Sequence, residues 1–256
     1  MITSTSNPQV KNLLQLKKKA RARNEQDVFL VEGMKMFLEA PKAQIHKVYL
    51  SQSLYRERGE EFPRDLPLEV LEDRVFAAVS DTKTPQGILC VLKQFHYKPE
   101  DLFAGKHPLL LLVEDLQDPG NMGTIFRTAE GAGADGIFLS RNCVDLYNPK
   151  TIRSTMGSVY RMPFVCVDHL EEILPLLKER GIRTYAAHLQ GKCSYDEEDY
   201  RTGCAFMIGN EGNGLSRELS DRADAWIRIP MHGQLESLNA AVAASILMYE
   251  ACRQRR

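Results

Sequence analysis

Short apolar runs alternate with helical patterns through the second half of the chain. They cover residues 109–113, 136–139, 164–167, 184–187, 205–208 and 226–229. Uninterrupted apolar runs of this length are typical of strands that are covered on both faces. Because the segments between them are helical in pattern, the sequence predicts an α/β fold with a mostly parallel sheet and helices on both faces.

The final helical pattern runs from about residue 235 to residue 254 and is unusually apolar. No charged residue lies between Ala240 and Met248, and apolar groups face most directions. A helix that is apolar all round is a buried helix. It is buried either in the core of its own domain or partly against a second subunit, and the pattern leaves both alternatives open.

The first 95 residues predict a smaller α/β unit. A helix is expected to begin near Pro8, and further helices follow Gly33 and cover residues 73–79. The strands of this unit are expected at residues 28–31, 45–50, 68–71 and 87–92. Residues 96–107 are polar and contain Pro99, which is typical of a linker. We therefore predict a first domain at 1–95, a linker at 96–107 and a second domain at 108–256.

The net charge of −1 does not indicate a nucleic-acid partner, but the distribution of the cations does. Residues 1–24 contain no acid and carry six cations, which are Lys11, Lys17, Lys18, Lys19, Arg21 and Arg23. Contacts to phosphate dominate the affinity of proteins for nucleic acids. These side chains are candidate RNA contacts, and a solvated, lysine-rich helix face is the alternative.

The six cysteines lack C-x-x-C spacing and the six histidines lack metal-ligand spacing, so we expect free thiols and no metal. Free thiols suit a reducing compartment. The N-terminus lacks the apolar region of a secretory signal. The longest uncharged segment, residues 237–249, is too short to span a bilayer. Together these features predict a cytoplasmic location.

Three polar loops follow predicted strands. After residues 109–113, a D-P-G-N sequence that ends at Asn121 is typical of a turn. Asn121 is a candidate cap for the next helix, and Arg127 follows nearly two helical turns later. After residues 205–208, a glycine-rich loop begins at Gly209 and carries the carboxylate of Glu211.

The third loop follows residues 226–229 and ends with Ser237 and Asn239 at the front of the apolar helix. A polar group at such a position needs a hydrogen-bond partner. On parallel sheets, ligands bind in loops beyond the carboxyl ends of the strands. The three loops therefore predict one composite site.

Two other glycine-rich patterns do not indicate a nucleotide cofactor. Residues 131–136 match G-x-G-x-x-G, but they end a helix and precede a strand, which is the reverse of a dinucleotide-binding fingerprint. The loop after residue 208 lacks the Gly-Lys-Ser/Thr of a phosphate-binding loop. A nicotinamide-dependent enzyme is thus disfavoured.

Taken together, the three loops resemble the motifs of the SpoU (TrmH) family of RNA ribose methyltransferases. The matching segments are N-M-G-T-I-F-R at 121–127, I-G-N-E-G-N-G-L-S at 208–216, and I-R-I-P-M at 227–231 with S-L-N at 237–239. The usual valine after S-L-N is replaced here by Ala240. Residues 6–11 and 29–33 resemble the L30e-like substrate-binding domain that precedes many SpoU catalytic domains.

The resemblance implies a SPOUT-type trefoil knot, a homodimer formed through the C-terminal domain, and methyl transfer from S-adenosylmethionine (AdoMet) to a ribose 2′-hydroxyl. It assigns Arg127 to the target ribose, in the pocket of the partner subunit. It implies that Asn121, Glu211, Ser237 and Asn239 position that arginine and the hydroxyl. The implied cofactor-binding residues are Gly209, Ile229, Met231 and Leu238, with Ala187 and His188 nearby.

The resemblance favours ribosomal RNA of the large subunit, 23S, as the substrate. Three alternatives remain open at this point. The chain is otherwise a transfer-RNA ribose methyltransferase, a resistance-type ribosomal RNA methyltransferase, or a non-catalytic RNA-binding assembly factor that keeps the fold.

Overall fold

The computed structural model describes residues 1–256, and the chain divides into two compact units. Unit 1 comprises Met1–Phe95 and Asp145–Tyr160, and unit 2 comprises His96–Val144 and Arg161–Arg256. The division at 1–95, 96–107 and 108–256 stays a prediction. The sequence did not predict that residues 145–160 pack with the first unit.

The chain forms ten α-helices and eleven strands. The helices are α1 (Pro8–Lys18), α2 (Ala20–Gln26), α3 (Met34–Glu39), α4 (Gln52–Arg58), α5 (Asp73–Val79), α6 (Pro119–Ala132), α7 (Pro149–Thr155), α8 (Leu174–Glu179), α9 (Arg217–Ser220) and α10 (Ala240–Gln254). The strands are β1 (Val28–Glu32), β2 (Ile45–Ser51), β3 (Leu68–Leu71), β4 (Ile88–Lys93), β5 (Leu109–Val113), β6 (Gly136–Ser140), β7 (Phe164–Val167), β8 (Arg183–Ala187), β9 (Cys193–Ser194), β10 (Cys204–Ile208) and β11 (Ala225–Arg228).

Unit 1 contains a four-stranded sheet in the order β1-β4-β2-β3, in which only β2 and β3 are parallel. Helix α1 begins at Pro8 as predicted, because the Asn7 side chain accepts a hydrogen bond from the Gln9 amide. Its buried Leu13 and Leu16 belong to the same apolar core as Phe76 of α5. The core therefore forms between these helices and the sheet.

The segment 145–160 is fixed to unit 1 by aromatic and polar contacts. Tyr147 packs on Phe29 with the ring centroids 4.6 Å apart, and its hydroxyl accepts a hydrogen bond from the Phe95 amide. The Tyr160 hydroxyl donates to the carbonyl of Met36 over 2.9 Å. These contacts give the segment a place in the core that its position in the sequence does not reveal.

Unit 2 is built on a seven-stranded sheet in the order β7-β6-β5-β10-β8-β11-β9. All of its neighbouring strands are parallel. The six predicted strands are all present, two with the predicted bounds and four shifted or extended by one residue. The short strand β9 was not predicted, since two residues carry no periodicity. The α/β prediction with a parallel sheet and a smaller N-terminal unit is confirmed, whereas the knot stays a prediction.

The polar segment expected to be a linker contributes to the core of unit 2. Pro99–Phe103 forms a 3-10 turn, and Leu102 within it is fully buried. A Cβ added to Gly136 would lie 2.2 Å from Leu102 Cγ, so glycine is required where this turn crosses β6. The Phe103 ring lies 6.3 Å from that of Phe138 and carries the Arg180 guanidinium 4.5 Å above it.

The last helix begins at Ala240, so the prediction of a helix from residue 235 is wrong. The Asn239 side chain accepts hydrogen bonds from the amides of Ala241 and Val242, which starts the helix there. One face of α10 packs against α6 and β10, while Val242 and Tyr249 are each 47% exposed. None of the helices combines the length and the apolar content needed to span a bilayer.

Candidate functional site

Four strands of unit 2 end at the same edge of the sheet. Val113 of β5 is in register with Ile208 of β10, and Ala187 of β8 is in register with Ile227 of β11. Strand β10 also pairs with β8. The loops that follow these strands are therefore neighbours, which confirms the arrangement that the sequence predicted for the composite site.

Glu211 links the first two loops. It lies in the glycine loop, residues 209–216, and its carboxylate accepts hydrogen bonds from the amides of Gln117 (3.1 Å) and Asp118 (2.9 Å). The side-chain amide of Asn121 donates a third over 3.0 Å. All three donors belong to the segment after β5, so one carboxylate holds two loops together.

Asn121 extends this link to the third loop. Its side-chain oxygen accepts a hydrogen bond of 2.9 Å from Asn239 Nδ2, while its Nδ2 donates to Glu211. Asn239 in turn uses its own side-chain oxygen to cap α10. The chain Glu211–Asn121–Asn239 therefore joins all three loops through consecutive side-chain hydrogen bonds.

Asn121 does not cap α6, so that expectation is wrong. The helix begins at Pro119, and Asp118 caps it by accepting a hydrogen bond of 2.7 Å from the Asn121 amide. Asn121 is instead the third residue of the helix. Because Asp118 performs the capping, the Asn121 side chain is free to bridge the loops.

The pKa of Glu211 is lowered from its ordinary value of 4.5. Partial burial raises the pKa, but the hydrogen bonds from Asn121, Gln117 and Asp118 stabilise the charged form and outweigh that effect. The carboxylate is therefore a weak base, well suited to accepting fixed hydrogen bonds.

Arg127 and Ser237 lie outside this hydrogen-bonded chain. Both are exposed, and neither forms a side-chain hydrogen bond or ion pair within the chain. Arg127 lies on α6, which runs beside α10: Ser245 donates to Thr128 over 3.1 Å. The structure thus leaves both side chains available to a substrate, and their catalytic roles stay predictions.

The candidate cofactor-binding residues lie at this edge of the sheet or in the segments that leave it. Ile229, Met231 and Leu238 are half-buried, as is Ala187 at the end of β8. The His188 ring packs on Trp226 with the centroids 4.3 Å apart, and its Nδ1 accepts a hydrogen bond from the Gln190 amide.

Gly209 is required by the loop itself. A Cβ at this position would lie 2.1 Å from the Gly214 carbonyl carbon, so any side chain would prevent the glycine loop from folding back on its own start. The sequence suggested only a close approach to a ligand. The contact of Gly209 with Gly214 is a second reason for glycine that the pattern does not reveal.

The sequence did not single out Glu114 and Asn210, which also join the first two loops. Glu114 accepts hydrogen bonds of 2.7 Å from the amide and from the hydroxyl of Ser216. Asn210 Nδ2 donates to the carbonyl of Asp115 over 2.7 Å. The available signal was their position within two residues of the ends of β5 and β10, at the edge of a parallel sheet where ligands bind.

The candidate RNA contacts of unit 1 do not share one environment. Lys11, Lys18, Lys19 and Arg21 are exposed, although Arg21 pairs with Glu25 at 2.6 Å. Lys17 is half-buried and lies 3.5 Å from an oxygen of Asp81. Lys11, Lys18 and Lys19 therefore remain available to phosphate, whereas Arg21 is exposed but already paired.

Arg23 must be removed from the set of candidate RNA contacts. Its side chain is 3% exposed and forms an ion pair with Asp145. It also donates to the carbonyl of Leu16 over 2.5 Å. A buried guanidinium that is already paired would leave an uncompensated carboxylate if it moved to the surface, so its role is structural.

All six cysteines are free thiols. Burial raises the pKa of Cys204 to about 12, and Cys143 and Cys90 are shifted upward for the same reason. Such thiols are protonated and poorly reactive at neutral pH. No group of His, Cys, Asp and Glu side chains is arranged to hold a metal ion.

Family models match both halves of the chain. Residues 108–249 match the SpoU rRNA Methylase family, and residues 7–90 match the MRM3-like substrate binding domain. The first match covers the three loops of the candidate site. The second covers most of the N-terminal part of unit 1.

Relatives along the full length agree with these matches. The chain is 36% identical over 253 residues to the 23S rRNA (guanosine(2553)-2′-O)-methyltransferase RlmP of Bacillus subtilis, covering 97% of each protein. An AdoMet-bound rRNA methyltransferase from Sinorhizobium meliloti superposes with a TM-score of 0.88 and 30% identity, covering 98% of this chain and 97% of the other. The AviRb methyltransferase of Streptomyces viridochromogenes, in complex with AdoMet, superposes with a TM-score of 0.87 and 25% identity. The superposition covers 97% of this chain and 98% of the other.

The hydrogen bonds of Glu211 predict a measurable change when one is removed. In Asn121→Ala, the pKa of Glu211 should rise, because the charged carboxylate loses the hydrogen bond from the Asn121 side chain that stabilises it. The chemical shift of the 13C-labelled Glu211 carboxyl, followed through an acid titration, measures this. The contribution of this carboxylate to stability is fully present above the ordinary pKa of glutamate, 4.5, and is lost as the pH falls through the lower pKa of the folded protein.

Asn213→Ala is the matched control, since Asn213 lies in the same loop and its side chain does not bond to Glu211. It should leave the titration unchanged. An identical Glu211 titration in wild type and Asn121→Ala would contradict the described geometry.

Proposed function

Because the chain belongs to the SpoU rRNA methylase family, we propose that it transfers a methyl group from AdoMet to a ribose 2′-hydroxyl of 23S ribosomal RNA. The observation that carries this proposal is the hydrogen-bonded chain Glu211–Asn121–Asn239, which joins the three loops at the carboxyl edge of the sheet. Each loop holds one of the motifs by which the sequence resembles the family.

The residues at this edge fit AdoMet. Ile229, Met231 and Leu238 are apolar and only half-buried, as suits the face of an adenine ring. Gly209 directly follows β10 and is half-buried, so part of its backbone remains accessible to a ligand. When bound, AdoMet supplies an activated methyl group whose leaving sulfur is already cationic. These residues would hold and orient it, with Ala187 and His188 beside them.

The protein must then orient the ribose hydroxyl and stabilise the charge that develops on its oxygen. Arg127 is exposed and unpaired, so its guanidinium is free to contact the ribose and its phosphate. Since an arginine guanidinium stays protonated in proteins, we assign Arg127 to electrostatic stabilisation rather than to proton removal.

The other candidate residues divide into two roles. Asn121, Glu211 and Asn239 are committed to one another, so they set the geometry of the loops. Glu211, with its lowered pKa and three hydrogen bonds, is a poor proton acceptor. The Ser237 hydroxyl is exposed and unbonded, and we assign it to contact with the substrate.

Ribosomal RNA is favoured as the substrate by two observations. The Bacillus subtilis relative, which is similar over 97% of both chains, is named as a 23S rRNA methyltransferase. The match of residues 7–90 to a substrate binding domain coincides with the exposed cations Lys11, Lys18, Lys19 and Arg21. Transfer RNA is the second candidate, because another full-length relative, from Synechocystis, is named as a tRNA/rRNA methyltransferase. The six free thiols are compatible with a cytoplasmic location.

A homodimer formed through the C-terminal unit is also proposed. Val242 and Tyr249 of α10 remain 47% exposed on a helix that carries no charge from Ala240 to Met248. An exposed apolar face of this kind is typical of an interface between subunits. Because Arg127 lies on α6, which packs against α10, the proposed dimer would direct it toward the site of the partner.

Replacement of Arg127 tests the proposed reaction. Arg127→Ala should lower the rate of tritium transfer from methyl-labelled AdoMet to unmodified 23S RNA by about a hundredfold or more, because the developing oxyanion loses its cation. Calorimetry should show unchanged affinity for AdoMet. Transfer RNA in a parallel reaction distinguishes the two substrate candidates.

Arg222→Ala is the matched control, because Arg222 is also an exposed arginine of unit 2 and pairs only with Glu218 at 3.8 Å. It should transfer methyl groups at the wild-type rate. Wild-type transfer by Arg127→Ala would refute its catalytic role, and failure of the wild type to label either RNA would refute the function.

The proposed dimer predicts the effect of a charge on α10. Val242→Asp should convert the protein to a monomer in sedimentation velocity, since an unpaired carboxylate would be buried in the interface. Leu38→Asp, which places the same charge at a 71%-exposed leucine of unit 1, should remain dimeric. A wild-type protein that sediments as a monomer would contradict the proposal.

A further inference from the structure

The glycine loop leaves the sheet at Gly209 and ends at Ser216, which caps α9, and the two sides of the loop are hydrogen-bonded to each other near its start. Asn210 and Gly214 exchange backbone hydrogen bonds of 3.0 and 2.9 Å across the neck of the loop. The Asn210 side-chain oxygen accepts from the Gly212 amide over 2.8 Å. The shape of the loop therefore depends on where its returning segment, residues 214–216, is held.

The outgoing end of the loop is fixed by one hydrogen bond to the neighbouring segment. Asn210 Nδ2 donates to the carbonyl of Asp115, which has a left-handed backbone with φ of 50°. The Ser140 hydroxyl bonds to both the amide and the carboxylate of Asp115 and so helps to hold that conformation. The carbonyl that receives Asn210 is thus a rigid acceptor.

The return end is fixed by Glu114, the residue directly after β5. One carboxylate oxygen accepts from the Ser216 amide and the other from the Ser216 hydroxyl, each over 2.7 Å. Hydrogen bonds to an ionised carboxylate are stronger than those between neutral groups. Because its proton is donated to Glu114, the hydroxyl presents a lone pair to the Leu219 amide and caps α9.

Glu114 has no predicted part in the chemistry, but it binds the segment that packs against Gly209. If Ser216 were released, only the two backbone hydrogen bonds between Asn210 and Gly214 would hold the returning segment against Gly209, where a Cβ would approach Gly214 to within 2.1 Å. We propose that Glu114 is a positioning residue for the cofactor: it keeps the glycine loop closed so that Gly209 and its neighbours present one fixed surface to AdoMet. This inference rests on the proposed function.

The expected signature is a loss of AdoMet affinity without a loss of the catalytic step. Glu114→Ala should raise the dissociation constant for AdoMet and the KM for AdoMet by about tenfold, as expected for the loss of a charged hydrogen-bond acceptor. The turnover number at saturating AdoMet should stay within about threefold of wild type. A general loss of structure would instead lower the active fraction, and with it the turnover number.

A conservative variant gives the experiment its second arm. In Glu114→Gln, the amide oxygen still accepts from the Ser216 amide and the amide nitrogen donates to the Ser216 hydroxyl, so affinity should return to within about threefold of wild type. Glu114→Asp, one methylene shorter, should lie between Gln and Ala. Glu218→Ala, which removes an exposed acid of α9, should bind AdoMet like wild type.

The outcomes separate the two proposals. If wild type binds AdoMet and Glu114→Ala binds it equally well, the positioning role is overturned while the proposed function stands. If Glu114→Ala lowers the turnover number at unchanged KM, the role is also overturned. If wild type does not bind AdoMet, the proposed function fails and the role of Glu114 fails with it.

Discussion

The carboxylate of Glu211 is the point on which the site depends. It lies in a loop with three glycines, a segment with little conformational preference of its own, and yet it accepts hydrogen bonds from two backbone amides and from Asn121. Asn121 also accepts a hydrogen bond from the side-chain nitrogen of Asn239, and the side-chain oxygen of Asn239 caps α10. Three loops from distant parts of the sequence are therefore held together by a short series of hydrogen bonds. Asn121 and Asn239 each take part in this series with both the oxygen and the nitrogen of the side-chain amide.

This arrangement explains why the sequence predicts the sheet better than it predicts the contacts within the site. The strands were predicted because a buried parallel strand must be apolar throughout, and β5 and β7 have the predicted bounds. The motifs were predicted from their residues and from the family resemblance. The partners within the site were not, because Glu114, Asn210 and Asp118 act through positions that only the folded chain brings together.

The errors have physical causes as well. Apolar periodicity placed the start of the last helix at residue 235, but the capping side chain of Asn239 decides where the helix begins. The charge pattern predicted that Arg23 contacts RNA, but Arg23 is buried in an ion pair with Asp145. That partner lies in a segment that belongs to unit 1 although it is far away in sequence. Local sequence does not encode contacts of this range.

The most direct test of the account is a double-mutant cycle on the affinity for AdoMet, measured by calorimetry with Asn121→Ala, Asn239→Ser and the double variant. Serine at position 239 keeps a capping oxygen but loses the donor to Asn121. If the three loops form one site through this bond, each single variant weakens binding and the double variant is no weaker than Asn121→Ala, with a coupling of about 0.5 kcal/mol or more. Purely additive losses, or unchanged affinity in all three variants, would contradict the claim that this chain of hydrogen bonds builds the site.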